Sequence, residues 1–163
     1  GKSTQGKILA ERLDGIALSA GQIIRDSNKF STDTAIGAMI PEKQLVEMIK
    51  NTVLPLFAQG KSVIFDGQPG NPEQVELWQQ AGLLDKIEQI LVIDLPAAKS
   101  LQRLAMRGRS DDNQRVWERK LEYYDQKITP FLDAFKQKGI RVQHIDGDGS
   151  IDEVSERIFT NCQ

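Results

Sequence analysis

The chain is poor in the residues that build covalently or metal-pinned folds. It has one cysteine, Cys162, and one histidine, His144. One cysteine closes no internal disulfide, and one histidine beside it cannot assemble a Cys/His metal cluster. Both read as ordinary packing or surface residues. Positive charge is also in short supply: 21 Lys and Arg face 23 Asp and Glu, for a net charge of −2. A protein that coats nucleic acid needs a basic face, so no nucleic-acid partner is expected. No apolar run approaches the roughly 20 residues of a membrane helix, and no secretory leader pattern appears. These absences make a soluble, cytoplasmic protein with no membrane contact the expectation. Nothing suggests an obligate dimer, so a monomer is expected. There is no internal repeat, no low-complexity segment and no initiator methionine.

What is present is enough for one compact α/β domain over residues 1–163, with 39% hydrophobic residues to fill its core. Apolar spacing predicts a helix over Lys2–Leu13 and a strand over Gly15–Leu18. Short helices are expected over Gly21–Asn28 and Asp33–Met39. From Pro41 to Gly60, a helix carries Leu45, Val46, Ile49, Val53 and Leu56 on one face. Ser62–Phe65 is a buried strand ending at Asp66-Gly67, and Pro72–Ala81 is a helix. Gln89–Ile93 is a strand ending at Asp94, followed by a helix to Arg107. After the polar stretch Gly108–Asn113, a long helix over Gln114–Lys138 is expected to bend at Thr129-Pro130. Ile140–Ile145 is the last strand and Ile151–Phe159 the last helix. Alternating strands and helices predict a central parallel sheet with helices on both faces, a three-layer sandwich. Ligands of such sheets bind beyond the carboxyl ends of the strands, where Ser19-Ala20-Gly21, Asp66-Gly67 and Asp94 fall.

Gly1-Lys2-Ser3-Thr4 opening a helix reads as the second half of a Walker A phosphate loop. Helix-start amides bind phosphate, a lysine reaches its terminal groups, and a hydroxyl can ligate Mg²⁺. The bland alternative is a plain helix start. Asp66 at a strand end could hold Mg²⁺ directly or through water, or could simply form an Asp-Gly turn. Arg103, Arg107, Arg109, Arg115, Arg119 and Lys120 surround Ser110-Asp111-Asp112-Asn113. Such a run is usually a solvated face. A basic hairpin closing over ATP would instead supply the cations that phosphoryl transfer needs.

In this order, the pieces resemble the adenylate kinase and UMP/CMP kinase family across the whole chain. Gly1-Lys2-Ser3-Thr4-Gln5 resembles GKGTQ, and Leu18–Arg25 resembles the STGDxLR segment. Gly37–Val46 is similar to G-x-L-V-P-D-E-x-x-V, with Pro41 and Glu42 in register. Phe65–Gly70 resembles DGFPR, Arg107–Asn113 the RxxDDN of short-lid members, and Asp146-Gly147 the late DG before the final helix. The resemblance implies a P-loop kinase moving the γ-phosphate of Mg-ATP to a nucleoside monophosphate. Lys2, Arg107, Arg109 and Lys120 would be catalytic. Gly1, Lys2, Ser3, Thr4, Arg103, Arg107 and Gly149 would bind ATP, with Arg103 against its adenine. Ser19, Ala20, Gly21, Arg25, Gly67 and Gln74 would bind the acceptor. Ser3, Thr4 and Asp66 would serve Mg²⁺. A helical acceptor flap would span about 20–48 and a short lid about 107–115. The family's first strand lies mid-sheet, so about ten residues, a β-run and the first part of the loop, are expected upstream of Gly1.

Three departures fall on the acceptor side. Gln22 replaces the aspartate of STGD, Ala20 a hydroxyl residue, and Gly70 the arginine of DGFPR. A charged hydrogen bond of that last kind contributes about 1.5–3 kcal/mol, so its loss weakens acceptor binding roughly ten- to a hundredfold. Altered acceptor specificity is therefore expected. The alternatives are an ordinary adenylate kinase whose other arginines compensate, a small-molecule kinase acting on an alcohol, with Asp66 as its base, and a non-catalytic ATP-binding module.

Overall fold

A computed structural model describes residues 1–27, 40–105 and 128–162. They fall into two compact units, Gly1–Glu88 and Gln89–Gln163.

In the first unit, helix α1 (Lys2–Arg12) buries Gln5, Leu9 and Ala10. That face packs on strands β1 (Ile16–Ser19) and β2 (Val63–Asp66). The strands run parallel, in register from Ile16 opposite Val63 to Ser19 opposite Asp66. Helix α2 (Ala20–Asp26) starts directly off β1, because the Ser19 hydroxyl oxygen accepts from the Gln22 N–H at 3.2 Å and caps it. Helix α3 (Glu42–Ala58) buries Leu45, Val46, Ile49 and Val53, the stripe expected of an amphipathic helix. Leu56, expected on that face, is only half-buried. Pro41 is the residue that caps this helix rather than its first turn. Helix α4 (Pro72–Gln80) begins at a proline, whose absent N–H would be unpaired there anyway, and Asn71 caps it. A 3₁₀ turn over Leu84–Lys86 closes the unit.

In the second unit, strands β3 (Gln89–Asp94) and β4 (Arg141–Asp146) are again parallel, with Asp94 opposite Asp146 at their ends. Helix α5 (Ala97–Ala105) follows β3. Helix α6, over residues 128–137, precedes β4, and α7 (Ile151–Thr160) follows it and packs back on it. A capping box starts α7: the Ser150 oxygen accepts from Glu153 N–H at 3.2 Å, and the Glu153 carboxylate accepts from Ser150 N–H at 2.7 Å. Ile49 in the first unit and Phe135 in the second are both 0% exposed. Burial of each contributes about 1.5–3 kcal/mol.

The parallel α/β pattern expected from the sequence is thus present, as one parallel pair in each unit. Every strand ends one residue later than its apolar run. The ladder continues to Ser19, Asp66, Asp94 and Asp146, which hydropathy does not mark. The expected helix over 33–39, part of the flap, the lid over 107–115, and the end of the helix to Arg107 lie outside the described residues. So does the first half of the helix expected over 114–138.

Candidate active site

The start of α1 and the end of β2 meet. Ser3 Oγ donates to Asp66 Oδ2 at 2.5 Å, although 63 residues separate them. Asp66 is the last residue of its strand, and Ser3 lies in the first turn of its helix, so the helix-start amides and the strand-end carboxylate share one place. Lys2 is exposed and, among the described residues, makes no hydrogen bond or ion pair. Thr4 is exposed in the same turn. The arrangement offers a cation, two hydroxyls and a carboxylate at a helix start, a combination suited to a metal-bound polyphosphate.

Along β1 and α2, Ser19 spends its oxygen on the cap, and Ala20 and Gly21 form the first turn. Arg25 Nη2 donates to Gln22 Oε1 at 2.8 Å, while Gln22 Nε2 donates to Asp26 at 2.7 Å. Gln22, where the family motif has an aspartate, therefore aims Arg25.

The loop after β2 is tied from beneath. Gly67 has φ +78°, the left-handed region, and the Gln68–Pro69 peptide is cis. Gln74 is 5% exposed, and both ends of its amide are engaged. Its Oε1 accepts from Gly70 N–H at 2.6 Å and its Nε2 donates to Glu42 Oε2 at 2.7 Å. Glu42 was not singled out from the sequence, and only the register of Pro41-Glu42 pointed near it. A Cβ on Gly70 would sit 3.0 Å from the Gly67 carbonyl oxygen, a tight contact.

In the second unit, Arg103 and Gly149 come together. Arg103 Nη1 donates to Gly147 O at 3.3 Å and Nη2 to Gly149 O at 3.0 Å. Lys99 pairs with Asp148, and that hydrogen bond, before any other effect, holds the Asp148 carboxyl below its ordinary range. The Glu153 carboxyl is lowered chiefly by the Ser150 backbone N–H, then by its hydroxyl. Arg157 Nη1 donates to Asp146 O at 2.9 Å and Asp148 O at 2.5 Å. Neither Lys99 nor Arg157 carries a sequence signal: each is one charged residue on a helix face. His144 Nδ1 lies 2.8 Å from Asp94 Oδ2, so both are partnered at the surface. Cys162 is half-buried, and burial raises its thiol. Arg107, Arg109 and Lys120 lie outside the described residues. Among the described residues no group of acidic, His or Cys side chains forms a metal cluster, and no helix is long and apolar enough to cross a membrane.

A strand-end carboxylate bonded to the hydroxyl of a Gly-Lys-Ser-Thr helix start, on parallel α/β pairs, defines a P-loop nucleotide-binding fold. Residues 1–118 match a family model described as an AAA domain. The chain is 37% identical to an adenylate kinase of Prochlorococcus marinus strain MIT 9211, over 95% of this chain and 87% of that protein. It is 30% identical to an adenylate kinase of Thermus thermophilus, over 97% and 89%. With an adenylate kinase of Phocaeicola vulgatus it shares 29% over 94% and 88%. The chain belongs to the nucleoside monophosphate kinase family, and it is an enzyme of that family.

Proposed function

We propose that the protein transfers the γ-phosphate of Mg-ATP to a nucleoside monophosphate, in line and without a covalent enzyme intermediate. The observation that carries this reading is the 2.5 Å bond from Ser3 Oγ to Asp66 Oδ2 at the start of α1. It joins the helix start that carries Lys2 to a strand-end carboxylate, which supports a phosphate and metal site there. Lys2 bears on the transferred phosphate, with the amides of Gly1, Ser3 and Thr4 around it. The hydroxyl of Ser3 or Thr4 and the carboxylate of Asp66 are hard oxygen donors of the kind Mg²⁺ takes, so these residues fit the ion. When bound, Mg²⁺ neutralises charge on the β- and γ-phosphates. Arg103 and the Gly149 backbone take the adenine of ATP. Arg107, Arg109 and Lys120 supply further cations in the lid. Ser19, Ala20, Gly21, Arg25, Gly67 and Gln74 line the acceptor side. The relatives named adenylate kinase support this assignment.

Altered acceptor choice is part of the reading. It is supported by Gly70, which lacks the charged side chain, and by Gln74, whose amide is already engaged at both ends. A panel of AMP, CMP, UMP, dTMP and GMP with Mg-ATP tests both parts. Turnover of at least one is expected. ATP binding with no turnover of any would replace the reading with an ATP-binding module, and a micromolar KM for AMP would remove the altered specificity. Gly70→Arg is expected to tighten monophosphate binding about tenfold by calorimetry, while Gly70→Ala does not. Unchanged affinity in the arginine variant counts against this account of position 70.

A further inference from the structure

The segment Asp146–Gly149 leaves β4 with four consecutive carbonyls, and two arginines claim them in alternation. Arg157 takes the oxygens of Asp146 and Asp148, and Arg103 those of Gly147 and Gly149. The amides are taken as well. Gly147 N–H donates to Asp94 O at 2.7 Å, and Asp148 N–H to Asp146 Oδ1 at 2.9 Å. Lys99 holds the Asp148 carboxylate from α5. A Cβ on Gly147 would lie 2.6 Å from Ile93 Cγ2 and 2.7 Å from Asp94 O, so the segment is seated against β3 with no room to spare.

A run holding two glycines is the stretch most costly to order, and a ligand that meets it loose must bear that cost in affinity. Here the ordering is built in. Hydrogen bonding uses the edge of a guanidinium and leaves its flat faces for stacking on a base. The alternation thus fixes the plane of Arg103 as well as the path of the loop.

We propose that Arg157 is a positioning residue for the donor nucleotide: by holding the Asp146 and Asp148 carbonyls it fixes the loop on which Arg103 is aligned for the base. This rests on the reading of Arg103 and Gly149 as the donor-base site. Arg157 touches neither phosphate nor acceptor in this scheme, so its influence is confined to donor affinity.

The test uses the full chain and compares wild type, Arg157→Gln and Arg157→Lys. Mg-ATP affinity is measured by calorimetry, KM for donor and acceptor by kinetics, and Tm alongside. With wild type binding ATP, Arg157→Gln is expected to weaken ATP about tenfold, with the acceptor KM unchanged. Arg157→Lys, which keeps one charge but not the reach to two carbonyls, should fall between them. ATP affinity equal to wild type in both variants, or donor and acceptor affinities falling together with Tm, overturns the assignment while leaving the kinase reading intact. A wild type that binds no ATP overturns the donor-site reading and this inference with it.

Discussion

The start of α1 in the first unit and the end of β4 in the second are built on opposite principles. At the start of α1, positive charge is left unspent: Lys2 is exposed and unpaired among the described residues, while Ser3 is tied to Asp66. At the end of β4, four carbonyls and two amides are satisfied within the protein, and Lys99 and Asp148 neutralise each other. A polyphosphate brings its own charge and needs a cation that has no prior partner. A nucleobase brings flat faces and little charge, so it is better met by a surface that is already rigid. On the proposed reading, the first surface suits the phosphates and the second the base.

Removing the unspent charge is the sharpest way to break that contrast. Lys2→Met is expected to lower turnover by about 10²–10³-fold, as losing one preorganised charge donor does. Lys2 is exposed and makes no hydrogen bond or ion pair among the described residues, so urea stability should stay within about 0.5 kcal/mol of wild type. Full activity in the variant, or a large loss of stability, would show that Lys2 serves the fold and not the phosphate.

The next comparison sets one glycine from each end side by side. A methyl group at Gly147 meets Ile93 and the Asp94 carbonyl at 2.6 and 2.7 Å, whereas at Gly70 the nearest atom, the Gly67 carbonyl oxygen, is 3.0 Å away. Gly147→Ala should therefore lose about 1–3 kcal/mol in urea unfolding, with Gly70→Ala below it. Equal losses would mean that the second loop is no more tightly seated than the first.

How far the sequence reaches follows the same division. The apolar periodicity of Leu45, Ile49 and Val53 locates α3, and the runs Val63–Phe65 and Ile90–Ile93 locate strands, because burial is written in hydropathy. The meeting of the α1 start with the β2 end falls on positions that local spacing marks: Gly-Lys-Ser-Thr at a helix start and Asp-Gly at a strand end. What stayed hidden is pairing at a distance. Glu42 reaches Gln74 across 32 residues, and Arg157 reaches Asp146 across a helix turn and a cap. Nothing in a charged residue's neighbours tells which carbonyl it will find. The turn at Leu84–Lys86 escaped for a related reason: Leu83 and Leu84 are buried by contacts the local pattern does not specify.

The smallest effect expected is acid sensitivity, and it too separates the ends. In the second unit, the Lys99 hydrogen bond lowers Asp148 and the Ser150 amide lowers Glu153. In the first, Lys61 lowers Asp14, through its hydrogen bond and then its charge. A carboxyl lowered in the folded state is protonated later than in the unfolded chain. The unfolded state therefore binds more protons as pH falls below about 4, and stability falls with it. The contribution is fully present above that range and disappears as pH passes down through the lowered values. Asp148 is 41% exposed and Asp14 95%, so solvent screens the Lys61 pair far more. Urea midpoints from pH 6 to pH 3 should accordingly show a flatter acid limb for Lys99→Met and almost no change for Lys61→Met. In 1 M salt, where the screening length is about 3 Å, the wild-type limb should flatten as well. If Lys61→Met flattened the limb as much as Lys99→Met, the charge pair beside the Gly147–Gly149 loop would hold its carboxylate no more firmly than an exposed pair does, and the idea of a loop satisfied from within would lose one of its supports.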